Sequence, residues 1–174
     1  PSSAASDVYK RQGKEQDKEI ALTGHSQTKN LSTLELKNIQ KKRKSDVVWM
    51  SDRWIYNEIQ PYLNQANALA GWNFQWDWSE ACQFTEYKKD QFYDWHCDSH
   101  EEPYNQPDNK NVHGKLRKLS MTIWLNDPDE YEGGELDIEI EGPHTNLRYH
   151  SLKLSKGSIV IFRSRLWHRV RPVT

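Results

Sequence analysis

The stretch Gln91-Phe92-Tyr93-Asp94-Trp95-His96-Cys97-Asp98 decides how this chain is read. Aromatic residues lead into a His-x-Asp pair, the composition of a half-buried strand. On a strand, residues i and i+2 share a side. His96 and Asp98 can therefore reach one ligand together, while Cys97 points away. Far downstream, Leu166-Trp167-His168-Arg169-Val170 reads as a second strand carrying another histidine. Two imidazoles and one carboxylate can cap one face of a metal ion and leave the opposite positions open, which suits a non-haem Fe(II) that must bind substrates and O2. Each residue alone has a plainer reading: His96 as a strand residue capped by Asp94 or Asp98, His168 beside Trp167 as a satisfied core histidine.

Outward from this pair the chain is strand-rich. Residues 81–87, 92–98, 118–125, 135–140, 147–152, 158–162 and 167–173 read as strands. Turn chemistry bounds them: Lys88-Lys89-Asp90, Asn126-Asp127-Pro128-Asp129, Gly133-Gly134, Gly142-Pro143 and Lys156-Gly157. Upstream, Val47-Val48-Trp49-Met50 reads as a strand and Ser51-Asp52 offers an N-cap. Trp54, Ile55, Ile59, Leu63, Ala66, Leu69 and Ala70 then recur at helical spacing, and Gly71 is a natural stop. Pro61 inside that pattern predicts a kink or a break into two helices. Many short strands with helix only at the front predict a mainly β fold with an N-terminal helix: a double-stranded β-helix, the cupin-like jelly roll. Residues 101–114, with Pro103, Pro107, three asparagines and Gly114, read as a long polar loop directly after the His-x-Asp pair, as an active-site lid would.

Composition narrows the function. With 174 residues the chain can build one domain with a real core. A mean hydropathy of −1.00 is low for such a domain and predicts that part of the chain does not pack. The net charge of −1 implies no general attraction to nucleic acid or anionic membrane. No apolar run approaches the ~20 residues of a membrane span, and no signal-peptide pattern is visible. Cys82 and Cys97 read as free thiols of a reducing cytoplasm. The eight tryptophans and eight tyrosines read first as core and sheet filling. His25, His113, His144 and His150 fall in polar contexts and read as surface residues; His100, so close to the His-x-Asp pair, is the further histidine expected nearest the site.

The ends invite a separate expectation. Residues 1–12 match an in-frame translation of a sequencing adapter and are expected to be non-native, and Thr174 stops in mid-strand. Residues 13–40 are expected to be a polar, truncated N-terminal segment, and 41–174 the functional domain, truncated at its C-terminus. The basic run Lys41-Lys42-Arg43-Lys44 reads as a solvated linker or surface.

Several of these stretches together resemble the Fe(II)/2-oxoglutarate dioxygenases, in the prolyl-4-hydroxylase-like branch that includes PKHD-type hydroxylases. The resemblance runs over residues 40–174. It rests on Arg43–Trp49 and the helix ending near Gln65-Ala66-Asn67, on Tyr87 with Tyr93-Asp94-Trp95-His96-Cys97-Asp98, on Arg117-Lys118-Leu119-Ser120 through Trp124–Leu136 with its Gly-Gly-Glu-Leu, and on Gly157–Phe162 followed by Leu166–Thr174. It implies that His96, Asp98 and His168 ligate Fe(II), that Tyr87 hydrogen-bonds a 2-oxoglutarate carboxylate, and that Tyr93 lies near the iron. It implies Fe(II), 2-oxoglutarate and O2 as cofactors and cosubstrates, with ascorbate a further candidate. The activity would be hydroxylation of a C–H bond, peptidyl proline being one candidate; retention of Asp98 favours this over halogenation. The family's basic residue for the distal cosubstrate carboxylate would lie beyond Thr174. Arg169 and Arg171 are poor substitutes, being oddly offset from His168 and so facing away. Two other readings stand beside this one: a jelly-roll module that binds carbohydrate or peptide without catalysis, and a cupin metalloenzyme that does not use 2-oxoglutarate. The partner expected is a peptide, protein or small-molecule substrate, with no nucleic acid and no membrane; the oligomeric state is open.

Overall fold

The computed structural model describes residues 3–21, 32–99, 101–140 and 148–174. His25, His100, His144 and the Gly142-Pro143 turn lie outside them. In chain order the elements are α1 (Ser3–Glu15), β1 (Glu19–Ile20), α2 (Thr33–Lys42), β2 (Arg43–Lys44), β3 (Asp46–Met50), α3 (Arg53–Leu69), β4 (Cys82–Glu86), β5 (Phe92–His96), β6 (Leu119–Ile123), β7 (Leu136–Glu139), β8 (Tyr149–Leu152), β9 (Ile159–Arg163) and β10 (His168–Val170). Among the described residues no helix is long and apolar enough to cross a membrane.

The strands form a five-stranded sheet in the order β2-β5-β10-β7-β8, a β6-β9 pair, and a β1-β3-β4 sheet, with antiparallel pairing throughout. Leu136 and Ile138 of β7 meet Trp124 and Phe162 from the β6-β9 side in one core cluster, with Val160 and Val170 packed on it. Two antiparallel layers thus share an apolar interior, the double-sheet plan expected of a jelly roll. A second core lies where helices cover the β3-β4 face: Ile55 and Ile59 of α3 and Tyr9 of α1 pack on Val48, Met50 and Phe84. Each buried aliphatic or aromatic side chain here contributes about 1.5–3 kcal/mol through apolar burial.

The N-terminal part is more structured than its polarity suggests. Ser3–Glu15, most of it in the stretch expected to be non-native, is helical. Tyr9 stacks on Trp54 at 4.7 Å, and a Cβ on Gly13 would sit 2.2 Å from the Phe84 ring, so α1 is seated too closely for any side chain there. Residues 33–42, expected as part of a polar segment, form α2. Its start is a capping box: Ser32 Oγ accepts from the Glu35 amide at 3.3 Å while Glu35 accepts from the Ser32 amide at 2.8 Å.

The basic run is the clearest correction. Lys41 and Lys42 close α2, but Arg43 is a buried member of β2, paired with Tyr93 of β5. Its burial is compensated: Nε donates to Ser45 Oγ at 3.0 Å, Nη2 to Gln83 Oε1 at 2.7 Å, and the guanidinium lies 4.5 Å over the Tyr93 ring. Pro61 does not divide its helix either, for α3 runs unbroken from Arg53 to Leu69. The proline removes one bond to the carbonyl of Asn57, an exposed residue that water can reach, while Ile55 and Ile59 hold the preceding turns against the core. Asp52 sits at the N-cap without a side-chain capping bond. Gly71 does end the helix: at φ +65 it donates to Ala68, and Trp72 donates to Asn67, the paired bonds of a Schellman cap.

Candidate metal centre

The centre is built at the junction of two neighbouring strands. β5 ends on His96, β10 begins on His168, and the two residues are register partners. Their rings lie 4.1 Å apart between centroids. Asp98 lies just beyond the end of β5, where its amide donates to the Ser164 carbonyl at 2.9 Å and that of Ser99 to the same oxygen at 3.0 Å. This turn carries the carboxylate back over the histidines. His96 Nε2 is 3.7 Å from Asp98 Oδ1, and His168 Nε2 is 3.6 Å from Asp98 Oδ2. One donor atom from each of the three lies within 4.8 Å of the others.

The other ring nitrogen of each histidine fixes the chemistry. His96 Nδ1 sits 2.8 Å from the Asp94 carbonyl, and His168 Nδ1 3.0 Å from the Leu166 carbonyl. A carbonyl only accepts, so both Nδ1 atoms carry the proton. In a neutral ring with Nδ1 protonated, Nε2 is the lone pair facing Asp98, the tautomer that can ligate a metal. Burial, and then the neighbouring His168, push the His96 imidazole well below its usual range, so it stays neutral at physiological pH. Two imidazole nitrogens and one carboxylate are a donor set that fits a first-row divalent ion such as Fe(II).

A further layer holds Asp98. Ser120 of β6 donates its hydroxyl to Asp98 Oδ2 at 2.7 Å and lies 2.9 Å from the hydroxyl of the fully buried Ser164. Arg117 donates Nη1 to the Asp98 carbonyl oxygen at 2.9 Å while its other edge grips Glu80 in a bidentate pair. That partnership raises the Arg117 pKa further and keeps the guanidinium charged. Arg117 and Ser120 lie in a stretch that carries the family resemblance, but nothing in the sequence assigned this role to them or to Ser164.

Tyr93 reaches the centre through an irregularity. His168 pairs with His96 but Val170 pairs with Tyr93, so β5 carries one extra residue against β10. This bulge brings Tyr93 and His96, three apart in sequence, onto one side, where their rings stack at 3.4 Å. Tyr93, His96 and Asp98 line a cavity of about 460 Å3. Tyr87 is not among the lining residues; it is half-buried, and its phenol is pushed up to about 12 by burial despite the opposing charge of Arg43. Cys97 does not turn away but lies on the cavity wall, because the strand has ended at His96 and alternation no longer applies. Tyr104, Gln106, Asn109 and Val112 of the 101–114 loop close another side. The loop is tied at its base, the Tyr104 amide donating to Lys115 and that of Gly114 back to Tyr104.

Arg169 and Arg171 face the opposite side of the sheet, as their offset predicted. Both donate Nε to Oδ2 of the fully buried Asp137, at 2.7 and 2.9 Å. His113 and His150 are exposed. Cys82 and Cys97 are free thiols.

The comparisons with known proteins agree with this geometry. The model of a family described as the 2OG-Fe(II) oxygenase superfamily matches residues 82–174, more than half the chain and all three candidate ligands. A PKHD-type hydroxylase of Xylella fastidiosa (strain M12) is 48% identical over 56 residues, 32% of this chain and 22% of that protein. One from Psychrobacter sp. (strain PRwf-1) is 40% identical over 91 residues, 52% of this chain and 32% of that one. The chain therefore spans only about a fifth to a third of these relatives' length. Among solved structures, a Pseudomonas putida prolyl-4-hydroxylase aligns with a TM-score of 0.59 at 17% identity, over 98% of this chain and 78% of that one. The viral collagen prolyl hydroxylase of Paramecium Bursaria Chlorella virus-1, in its 2OG complex, gives 0.64 at 19%, over 100% and 84%. At such identities these two structures speak for the fold alone.

Proposed function

The chain belongs to the 2OG-Fe(II) oxygenase superfamily, and on that premise we propose that it is an Fe(II)- and 2-oxoglutarate-dependent hydroxylase whose metal is held by His96, Asp98 and His168. The observation that carries this reading is the inward-facing donor set: three ligand atoms within 4.8 Å, with both Nδ1 protons committed to carbonyls. Fe(II) bound there would supply the oxidative decarboxylation of 2-oxoglutarate to succinate and CO2, coupled through O2 to hydroxylation of a substrate C–H bond.

The chain's own residues bind, orient and shield. The carbonyls of Asp94 and Leu166 hold the imidazoles in one tautomer, and Ser120 and Arg117 hold the Asp98 side chain and backbone. Tyr93 and Tyr87 are the proposed cosubstrate contacts. Tyr93 stands on the cavity wall, Tyr87 lies outside the lining, and the charge of buried Arg43 acts on both phenols. The tied loop and Tyr104 limit the entry of water from one side. The substrate class we favour is a peptidyl side chain, with proline the first candidate in view of the prolyl hydroxylases that share the fold. We place the protein in the cytoplasm, where its two free thiols would persist, and keep ascorbate as a candidate reductant. Residues 41–174 carry every group named in this scheme.

The test is succinate formation from 2-oxoglutarate with and without Fe(II), in wild-type protein and in His96→Ala and Asp98→Ala. Iron-dependent turnover lost in both variants supports the assignment. Turnover undiminished in either variant removes that residue from the ligand set. Metal binding without 2-oxoglutarate consumption favours a cupin of another kind, and no metal binding favours a module that only binds carbohydrate or peptide.

A further inference from the structure

Ser164 lies between the end of β9 and His168, the ligand that opens β10. It is fully buried. Its carbonyl accepts from the amides of Asp98 and Ser99 at 2.9 and 3.0 Å, and its own amide donates to the Lys118 carbonyl at 3.0 Å. Lys118 adjoins β6, on which Ser120 turns toward the metal centre while Met121, on the other side of the pleat, packs on the helix-covered core. Ser164 therefore joins the turn that carries Asp98, the strand that carries Ser120 and the segment that leads to His168.

The hydroxyl protons can be assigned from chemistry. A carboxylate only accepts, so the 2.7 Å contact to Asp98 Oδ2 uses the one proton of the Ser120 hydroxyl. The 2.9 Å contact between the two serines must then use the proton of Ser164, with Ser120 accepting. The lengths agree with this order: 2.7 Å is the length of a bond to a charged oxygen, and 2.9 Å is longer than such bonds run. Donation runs from Ser164 to Ser120 to Asp98, and each bond polarises the next. A hydroxyl that accepts on one side and donates on the other cannot turn away, so Ser164 fixes the rotor of Ser120.

The two oxygens of Asp98 are thereby made unequal. Toward the imidazoles they stand almost alike, Oδ1 3.7 Å from His96 Nε2 and Oδ2 3.6 Å from His168 Nε2. Yet Oδ2 accepts the serine proton, while Oδ1 accepts no hydrogen bond among the described residues. We propose that the Ser164–Ser120 pair makes Asp98 a one-oxygen ligand through Oδ1, and so keeps open a position that a chelating carboxylate would fill. Two imidazoles and one carboxylate oxygen leave a six-coordinate ion three positions, two for a chelating 2-oxoglutarate and one for O2. With both carboxylate oxygens bound, one of those three is gone. Ser120 and Ser164 are positioning residues here, Ser164 acting through Ser120. The assignment rests on the hydroxylase reading for the metal and the cosubstrate, not for the chain of hydroxyls.

The test is an anaerobic titration of Fe(II)-loaded protein, saturated with 2-oxoglutarate, with nitric oxide, which takes the place of O2 and gives an EPR signal on binding. Wild type should bind one nitric oxide per iron. Ser120→Ala, at saturating Fe(II), should bind it about tenfold more weakly, the scale on which an outer partner of a metal ligand acts, and Ser120→Thr should restore the affinity. Ser164→Ala leaves the donor to Asp98 in place but frees its rotor, and should weaken binding about threefold, as the loss of one neutral hydrogen bond does. That variant decides the matter where Ser120→Ala does not retain iron. Nitric oxide affinity indistinguishable from wild type in the alanine variants, with iron and 2-oxoglutarate bound, would overturn the proposal and leave the hydroxylase reading standing. Failure of Ser120→Thr to restore the affinity would overturn it too. Wild-type protein that takes up neither iron nor 2-oxoglutarate would refute both.

Discussion

Replacing Ser120 by alanine removes one hydroxyl from beside the metal centre and little else. That hydroxyl donates to Asp98 Oδ2 at 2.7 Å and keeps the carboxylate turned toward both imidazoles. Two effects then oppose each other. Without the donor the carboxylate is less stabilised and more basic, which favours a cation. Without the donor it also loses its fixed orientation, so metal binding must order it. A hydrogen bond to a charged acceptor is worth about 1.5–3 kcal/mol, but a bound divalent ion takes over much of that electrostatic role. Loss of an outer partner of a metal ligand typically weakens affinity by about 10–100-fold, so orientation wins. We expect the lower end, about tenfold or ~1.4 kcal/mol, because Arg117 still holds the Asp98 backbone at 2.9 Å. Ser164, fully buried, also loses a partner at 2.9 Å, and about 1 kcal/mol of folding stability should go with it. The assay is a Co(II) titration followed by absorbance, with chemical denaturation run in parallel. Ser120→Thr keeps the hydroxyl and should recover most of the affinity. Affinity in Ser120→Ala within twofold of wild type, or no recovery in Ser120→Thr, refutes the reasoning.

Three further outcomes are expected. Arg43→Met leaves Ser45 and Gln83 without their donor and Tyr93 without its cation, and should cost about 2–4 kcal/mol in urea unfolding; a cost under ~0.5 kcal/mol would mean that Arg43 is a surface residue after all. Asp137→Ala strips both arginines of their shared carboxylate on the far side of the sheet. It should cost about 2 kcal/mol, less than a wholly buried pair because the arginines reach solvent, and leave Co(II) affinity unchanged. The imidazole of His96 is held below its ordinary pKa by burial, so in metal-free protein the unfolded chain takes up this proton first as pH falls. The stability it contributes is complete above the unfolded value near 6.5 and is lost as pH falls from there toward the folded value of about 4. Denaturation midpoints at the two ends of that window should therefore fall further in wild type than in His96→Gln; parallel curves would show that His96 is not buried in neutral form.

What could be read in advance followed from local patterns. The aromatic lead-in to His96, the helical spacing closed by Gly71 and, among the described residues, the turns between strands are each encoded within a few positions, and each lies where the pattern placed it. Arg43 could not be read this way. A run of four basic residues looks solvated, and the partners that bury one of them include Gln83 and Tyr93, far along the chain. The Tyr93–His96 stack depends on a bulge defined by the partner strand, so alternation along β5 alone misplaces it. Cys97 was misplaced for a related reason: the strand stops at His96, and the Ser164 carbonyl, not the pleat, sets the direction of the following turn. The capping box of α2 was legible as Ser32-Thr33-Leu34-Glu35, but the polar composition around it obscured a helix with few apolar residues.

The claim on which the rest depends is that His96, Asp98 and His168 form one metal face that also takes 2-oxoglutarate. Anaerobic Co(II) titration followed by addition of 2-oxoglutarate tests both halves in one cuvette. The account predicts saturation at one equivalent, a second change in the visible spectrum on adding 2-oxoglutarate, and loss of both in Asp98→Ala. Stoichiometric binding that survives in Asp98→Ala, or a spectrum indifferent to 2-oxoglutarate, would contradict it.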